Sequence, residues 1–362
     1  MGDQAYRQLA EKLDALPNGY PSTPDGVELR ILERIFEPDE ARLGALMKLS
    51  PETVQVLAER MGESPDEVKS LLKAMAKKDL VLPARIHKDG KRVLGFSIRP
   101  FFIGFYESQL HNLDQELADL VERYFESVHS EALVVAPQHT RVLPVQESIP
   151  HEINIEPYET AAAVVGGGKA WSVLDCICRV QQKLIGKECE YPVDVCMVIS
   201  QAPGYFDNSE HVRALTKEEA LATLKRAADA GLVHTTSNQQ EGLWFICSCC
   251  TCCCGILRGA AELGAANVVA RSAFVNKVDD SLCIACALCA DACPFEAIEV
   301  LDVAEIDDVR CVGCGVCISS CPEEALVLVR RDEADIEKPP LDWSEWAEKR
   351  STARGLDLSD LL

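Results

Sequence analysis

Eight cysteines near the end of the chain fall into two near-identical runs. Cys283, Cys286, Cys289 and Cys293 are followed at once by Pro294, and 28 residues later Cys311, Cys314, Cys317 and Cys321 are followed by Pro322. This is Cys-x2-Cys-x2-Cys-x3-Cys-Pro written twice, the run that holds two 4Fe-4S cubanes when the fourth cysteine of each run ligates the other run's cluster. On that pattern Cys283, Cys286, Cys289 and Cys321 serve one cluster, and Cys311, Cys314, Cys317 and Cys293 the other. Three thiolates can come from one tight loop whose backbone N–H groups point at the cluster sulfurs. The fourth has to come from farther away, and crossing it ties the two halves together. A structural zinc site takes four ligands, usually as two separated pairs, rather than two continuous runs of four ending in proline.

The stretch from about Asn276 to Arg331 resembles the bacterial-type dicluster ferredoxin module, which implies two 4Fe-4S clusters. Its flanks suit such a module, since Ala287, Leu288, Ala290 and Ala297, and then Gly313, Gly315, Val316 and Ala325, are small or apolar residues able to line a dry pocket. Residues 298–300 and 326–329 read as short strands expected to pair across the duplication.

The middle of the chain holds ten more thiols in 79 residues: Cys176, Cys178, Cys189, Cys196, Cys247, Cys249, Cys250, Cys252, Cys253 and Cys254. They suffice for one or two further clusters. Cys178, Cys189 and Cys196 are expected on one site with a ligand from the 247–254 run, and that run is expected to supply most of the other. Consecutive side chains diverge, so neighbours in the run should split between sites or stand beside the metal rather than on it. Arg179, directly after Cys178, is placed to donate to cluster sulfur, and such bonds raise a cluster's potential; a plain salt bridge is the competing reading. His234, after Gly231-Leu-Val, reads as a core or capping histidine, and His211 as part of a polar loop. Cys253-Cys254-Gly255 resembles the Cys-Cys-Gly motif of heterodisulfide-reductase-type subunits. The usual long-spaced duplicate is missing, so that activity does not carry over. The whole order of motifs is similar to a group of anaerobe iron-sulfur proteins described only as 4Fe-4S binding.

Other catalytic signatures are missing. Gly166-Gly-Gly168 lacks the GxGxxG order, and Lys169 is not followed by Ser or Thr, so neither a dinucleotide fingerprint nor a P-loop is present. The glycines read as a flexible loop or a close backbone approach to a cluster. No HExxH or Ser-His-Asp order stands out.

The elements that must position these thiols are of mixed type. Residues 27–36 and 40–49 alternate apolar and charged residues at helical spacing, with a break at Pro38. Ser50, with Pro51 at N1, is expected to open a helix to about Met61. Ser64-Pro65-Asp66-Glu67 carries a capping box and opens another to about Lys78. Residues 80–86 and 93–98 flank Asp89-Gly90 as a hairpin. Helix, helix, helix, hairpin resembles a winged-helix domain. Phe101, Phe102, Phe105 and Tyr106 read as interdomain core, followed by a helix over 114–125. Thr216 and Glu219 form a second capping box, with Ala220, Leu221, Leu224 and Ala228 on one face and Gly231 as the stop. The expected fold is α+β and multidomain: a winged-helix-like domain over 1–110, a helical linker with a cysteine-rich iron-sulfur domain over 111–270, a ferredoxin-like dicluster module over 271–331, and a tail over 332–362. That tail carries Trp343, Trp346 and a Leu-rich end, expected to strap its own domain or bind a partner.

Composition narrows the function. The 362 residues are 48% hydrophobic with a net charge of -22. Residues 1–110 hold 16 Lys+Arg against 17 Asp+Glu, whereas 111–362 hold 20 against 41. Such acidity opposes general phosphate binding and favours basic or neutral protein partners. No run approaches 18 apolar residues, and no charged-then-apolar segment opens the chain, so a transmembrane segment is not expected. Thiols in this number then point to cluster ligation in a reducing cytoplasm. The expected role is a multi-cluster electron-transfer protein or subunit, serving an anaerobic oxidoreductase, with a redox partner and peripheral membrane association only through it. The alternatives are a redox-sensing DNA-binding regulator, using Lys69, Lys73, Lys77, Lys78, Lys88, Lys91 and Arg92, and a thiol/disulfide reductase subunit using a middle cluster. If the upstream thiols hold inorganic clusters, anaerobically purified protein carries more iron than the roughly eight atoms of two cubanes. Iron and acid-labile sulfide quantification checks this, and a total at or below that figure contradicts it.

Overall fold

A computed structural model of the chain describes residues 2–88, 90–128, 133–145, 155–259, 268–359 and 361. Helices and sheets are mixed, and the chain divides into two compact units, Met1–Ala132 with Ala347–Leu362, and Leu133–Trp346.

In the first unit, α1 (Gly2–Asp14), α2 (Val27–Ile35) and α3 (Pro38–Leu46) precede the short strand β1 (Glu52–Thr53). Then follow α4 (Val54–Met61), α5 (Pro65–Lys77) and the hairpin β2 (Val81–Lys88) and β3 (Lys91–Ile98), in a sheet of order β1-β3-β2. Pro38 opens α3 at its first turn, where the missing N–H costs nothing. The Ser64 signal behaves as its chemistry dictates: Glu67 N donates to Ser64 Oγ at 3.3 Å, and Ser64 N donates to Glu67 Oε2 at 3.1 Å. Val68, Leu72 and Met75 are the buried face of α5.

Two expectations fail here. Ser50 and Pro51 do not begin a helix. The backbone of Glu52 and Thr53 instead pairs with Phe96 and Gly95 of β3, and α4 starts only at Val54. Gly95 permits this approach, since a Cβ there would stand 3.1 Å from the Cβ of Pro51. The aromatic run 101–106 is core of the first unit itself: the Phe101 ring lies 5.0 Å from Tyr20 and 5.6 Å from Tyr124, a residue of α6 (Gln115–Val128). This unit therefore runs past residue 110. The turn residue Asp89 lies outside the described residues, though Lys88 pairs with Lys91 across it.

The end of the chain also folds with this unit. Arg350, fully buried on helix Trp343–Ala353, donates from Nε to Pro17 O at 2.9 Å. Arg354 bonds Asp14 O at 2.9 Å and Asp14 Oδ1 at 2.8 Å, and Leu49 N donates to Leu361 O at 2.9 Å.

The second unit is built on a six-stranded antiparallel sheet of described residues, ordered β4 (Thr140–Leu143), β8 (Val233–Ser237), β9 (Phe245–Cys249), β6 (Cys196–Ser200), β5 (Ala170–Leu174) and β7 (Arg213–Leu215). Helices α7 (Ala161–Gly167) and α9 (Lys217–Asp229) bury Val164, Val165, Ala220 and Leu224 against Val173, Met197, Ile199 and Ile246. Thr216 and Glu219 close their capping box at 3.2 and 2.7 Å. Gly231 ends the segment at φ +82. Leu221, expected on the apolar face, is 37% exposed; its turn position faces away from the sheet. The close approach at Gly168 is to the sheet, since a Cβ there would lie 2.5 Å from Ile199 Cγ2. Residues 150–155, Pro-His-Glu-Ile-Asn-Ile, also read in the sequence as a short strand, and 150–154 of them lie outside the described residues.

After the sheet, β10 (Phe274–Val278) pairs with β13 (Leu326–Arg330), and β11 (Ile298–Val300) with β12 (Ala304–Ile306). The two strands expected to pair across the duplication thus do not pair with each other. Each run is followed by a strand, but the second of these returns to the strand preceding the first run, which closes the module end to end. No described helix is long and apolar enough to cross a membrane.

The register of α5 is open to test. Leu72→Ala, at a fully buried position, should destabilise the protein by about 2–5 kcal/mol. Leu71→Ala, one position round the helix and half-buried, should cost much less, as read from urea unfolding midpoints.

Candidate functional site

All eighteen cysteines are free thiols, and the fold gathers them into four groups. The first surrounds a cavity between the two halves of the dicluster segment. Its walls include Cys283, Cys286 and Cys289 from the first run and Cys321 from the second, with Ala285, Ala287, Val300, Ala304, Ala325 and Leu326. Ala285 and Ala287 take positive φ, 53 and 64, as the loop bends round the cavity. Backbone donors point at the sulfurs, from Ala304 N to Cys283 Sγ at 3.4 Å and from Ala325 N to Cys321 Sγ at 3.3 Å.

The second group repeats this pattern with partners exchanged. Cys293 acts electrostatically on Cys314 and Cys317 together with Cys311, and Ala297 N donates to Cys293 Sγ at 3.4 Å. Burial pushes the Cys314 thiol up to about 12 and raises Cys317 and Cys293 as well. Without a cation, burial therefore favours the neutral thiols, and ionising them together would take a compensating cation. Asn276 Nδ2 also donates to Cys317 Sγ at 3.0 Å. Sequence reasoning missed Asn276, although its signal was present: it is a polar residue at the inward position between Phe274 and Val278 of a strand.

The third group is a closed ring of six thiols. Each thiol acts on its two neighbours: Cys176 on Cys178 and Cys196, Cys178 on Cys254, Cys196 on Cys247, Cys247 on Cys249, and Cys249 on Cys254. Local structure explains the supply. Cys176 caps helix α8 (Ile177–Leu184), with Cys178 in its first turn. Cys196 begins β6, and Cys247 and Cys249 are two apart on β9, hence on one face. Bonds from Cys178 and Cys196, with a smaller pull from Arg179, hold Cys176 well below the usual thiol range. Thr235 Oγ1 lies 3.7 Å from Cys249 Sγ.

The fourth group is Cys189, Cys250, Cys252 and Cys253, whose sulfurs all lie within 4.8 Å of one another. Cys253 stands 3.3 Å from Cys189 and 3.7 Å from Cys252. A bond from Cys253, assisted by Arg179, lowers Cys250 to about 5.

These placements redraw the expected partition of the middle thiols. Cys178 and Cys196 belong together, but Cys189 leaves them for the fourth group. Along the 247–254 run, Cys249 and Cys250 separate, as do Cys253 and Cys254, while Cys252 and Cys253 share a group. The divergence of adjacent side chains accounts for the separations. A tight turn at 251–253 brings the last pair together.

Arg179 connects the two groups. It is 3% exposed, with Nη1 donating to Pro192 O at 3.0 Å and Nη2 to Ser248 O at 2.7 Å, and its guanidinium lies 6.0 Å from the Tyr191 ring centroid. Burial opposes its charge, but Cys176, Cys250, Cys196 and Cys249 together raise its pKa above the ordinary value. Both expectations, donation to sulfur and a plain salt bridge, give way to bonds to two carbonyls, with the thiols acting on Arg179 through their fields. His234 takes no part: its Nδ1 meets Ser248 Oγ at 3.1 Å, and Ser248 alternates with the two β9 cysteines onto the other face. His211 sits on an exposed loop.

Residues 282–325 match the family model of the 4Fe-4S dicluster domain. No curated protein and no solved structure matches the chain. The matched segment makes this an iron-sulfur protein with a ferredoxin-like module toward its C-terminus, and the gathered cysteines accord with iron-sulfur electron transfer.

Burial lowers the His234 pKa from 6.5 to about 4. The neutral ring therefore contributes stability above about pH 6.5, and this is lost progressively as pH falls toward 4, because the unfolded chain binds the proton first. His234→Gln should lose stability less steeply than wild type between pH 7 and 5, as urea midpoints will report; equal slopes would contradict the assignment.

Proposed function

We propose that the chain is a multi-centre electron carrier, a subunit relaying single electrons to or from an oxidoreductase of anaerobic metabolism. The observation that carries this reading is continuity among the thiol groups. Cys249 and Cys254 of the six-thiol ring share one buried apolar cluster with Cys314 and the adjoining Cys293, packed with Val233, Leu257, Val312 and Val316. Cys289 of the first cavity in turn acts on Cys317 of the second group. Three groups thus follow one another through dry protein.

The residues fit iron-sulfur clusters. Cys283, Cys286, Cys289 and Cys321 would hold one 4Fe-4S cluster, and Cys311, Cys314, Cys317 and Cys293 a second, with one or two further centres on the middle thiols. A bound cubane supplies a one-electron redox couple. The chain's own part is to keep water out with Val300, Leu326 and Val316 and to aim N–H groups at the sulfurs from Ala297, Ala304 and Ala325. Such donors favour the more negative, reduced state.

The first unit supports docking. Its order of β1, α4, α5 and the β2–β3 hairpin, with sheet order β1-β3-β2, supports reading it as a winged-helix-like domain, in which α5 would be the reading helix on DNA. Lys69, Lys73 and Lys77 are exposed on it. The N-terminal turn of α5, which would meet base edges, lies instead in a groove lined by Asp39, Glu63, Asp66, Glu67 and Arg42. Arg42 pairs with Glu63 at 2.7 Å and with Asp39 at 3.8 Å, which leaves the groove with more acidic than basic groups, a balance that disfavours phosphate. The holoprotein should therefore show no sequence-dependent binding to DNA from its own promoter region at about 0.15 M salt, oxidised or reduced. Tight binding abolished by Lys73→Glu and Lys77→Glu with clusters retained would replace the carrier by a regulator. Within the carrier reading, Cys293→Ser should disturb the paramagnetic signal of the cluster on Cys311, Cys314 and Cys317 more than that of its neighbour. The reverse order would overturn the crossed ligation.

A further inference from the structure

The two kinds of thiol group differ in a way that bears on what each holds. A cubane interposes four irons and four sulfides between its ligating cysteines, so it keeps their sulfurs well beyond contact. The dicluster cysteines obey this rule: among the described residues none of them joins a set of ligand atoms drawn to within 4.8 Å. Cys189, Cys250, Cys252 and Cys253 form such a set, with sulfur pairs at 3.3 and 3.7 Å. A single divalent ion at about 2.3 Å from each of four tetrahedral sulfurs would place those sulfurs about 3.8 Å apart.

We propose that Cys189, Cys250, Cys252 and Cys253 are a tetrathiolate site for one divalent metal ion, zinc or iron, and not the seat of a fourth cluster. All-sulfur tetrahedral sets select these two ions. Binding displaces the thiol protons to solvent and involves no electron transfer. The ion would tie the loop after α8, which supplies Cys189, to the turn after β9, which supplies the other three. The loop also carries Pro192, and strand β9 before the turn carries Ser248, the two residues whose carbonyls hold Arg179. Cys252 is exposed, so a site at this rim is accessible to exchange without opening the six-thiol ring.

The inference stands on this tetrad alone and is separable from the carrier reading. The test uses full-length protein purified without oxygen, with zinc, iron and acid-labile sulfide counted per chain in wild type and in Cys189→Ser/Cys252→Ser. The variant should lose one ion per chain with sulfide unchanged, in the zinc count if the ion is zinc and in the iron count if it is iron. Wild type should show, at the zinc absorption edge, four sulfurs at about 2.3 Å with no nearby metal, or a mononuclear iron-tetrathiolate component by Mössbauer spectroscopy. These wild-type spectra decide the matter even if the variant fails to fold. Loss of about four irons together with about four sulfides, an unchanged metal content in the folded variant, or wild-type spectra with neither mononuclear signature would overturn the proposal. A cubane at the tetrad would leave the electron-carrier reading standing.

Discussion

A guanidinium withdrawn from water is expensive unless charge of the opposite sign surrounds it, and thiolates crowded together are expensive unless a cation sits among them. In the cysteine-rich half of this protein the two costs offset each other at Arg179. Its two terminal nitrogens hold the carbonyls of Pro192 and Ser248, which fixes the loop carrying Cys189 against the strand carrying Cys247 and Cys249. Cys176, Cys196 and Cys249 act on it from the ring, and Cys250 acts on it from the tetrad. One positive charge favours the thiolate form at Cys176 and Cys250; ionising the remaining thiols as well would take further cationic charge, such as a bound metal. Arg179 orders the site and leaves most of the neutralisation to what the thiols bind.

The dicluster module solves the same problem with backbone. Pairing β10 with β13 brings the end of the second run beside the start of the first, and Cys321 consequently reaches the cavity of Cys283, Cys286 and Cys289. The amide of Ala325 donates to Cys321, as the amide of Ala297 does to Cys293, so the duplication in sequence is also a duplication of sulfur solvation. Asn276 breaks that symmetry by adding a side-chain donor at Cys317 alone. An extra donor would stabilise the more reduced state of a cluster held by Cys317 and so would separate the potentials of two clusters in otherwise similar pockets.

Local chemistry was legible in the sequence wherever one short stretch contains both partners of an interaction. The capping boxes at Ser64 and Thr216 formed as their residue types require, and the two cysteine runs announced a dicluster segment outright. What was not legible depended on distant partners. Ser50-Pro51 looks like a helix start, but the β3 edge and the missing side chain of Gly95 claim the following residues for a strand. The partition of the ten middle thiols follows from which strand face or turn each occupies, and that is settled by the register of β8, β9 and β6. Strand pairing in the dicluster segment was misjudged for the same reason, since both possible pairings satisfy the local pattern.

The central claim, that these thiol groups form a chain of one-electron centres, is tested most directly by anaerobic reductive titration of the full-length protein, with the paramagnetic signals integrated at each step. The account predicts uptake of more than two electrons per chain, in separate one-electron steps, with spin–spin coupling between neighbouring centres, and full return of those electrons to a one-electron acceptor. Uptake limited to two electrons, or magnetically isolated centres, would contradict it.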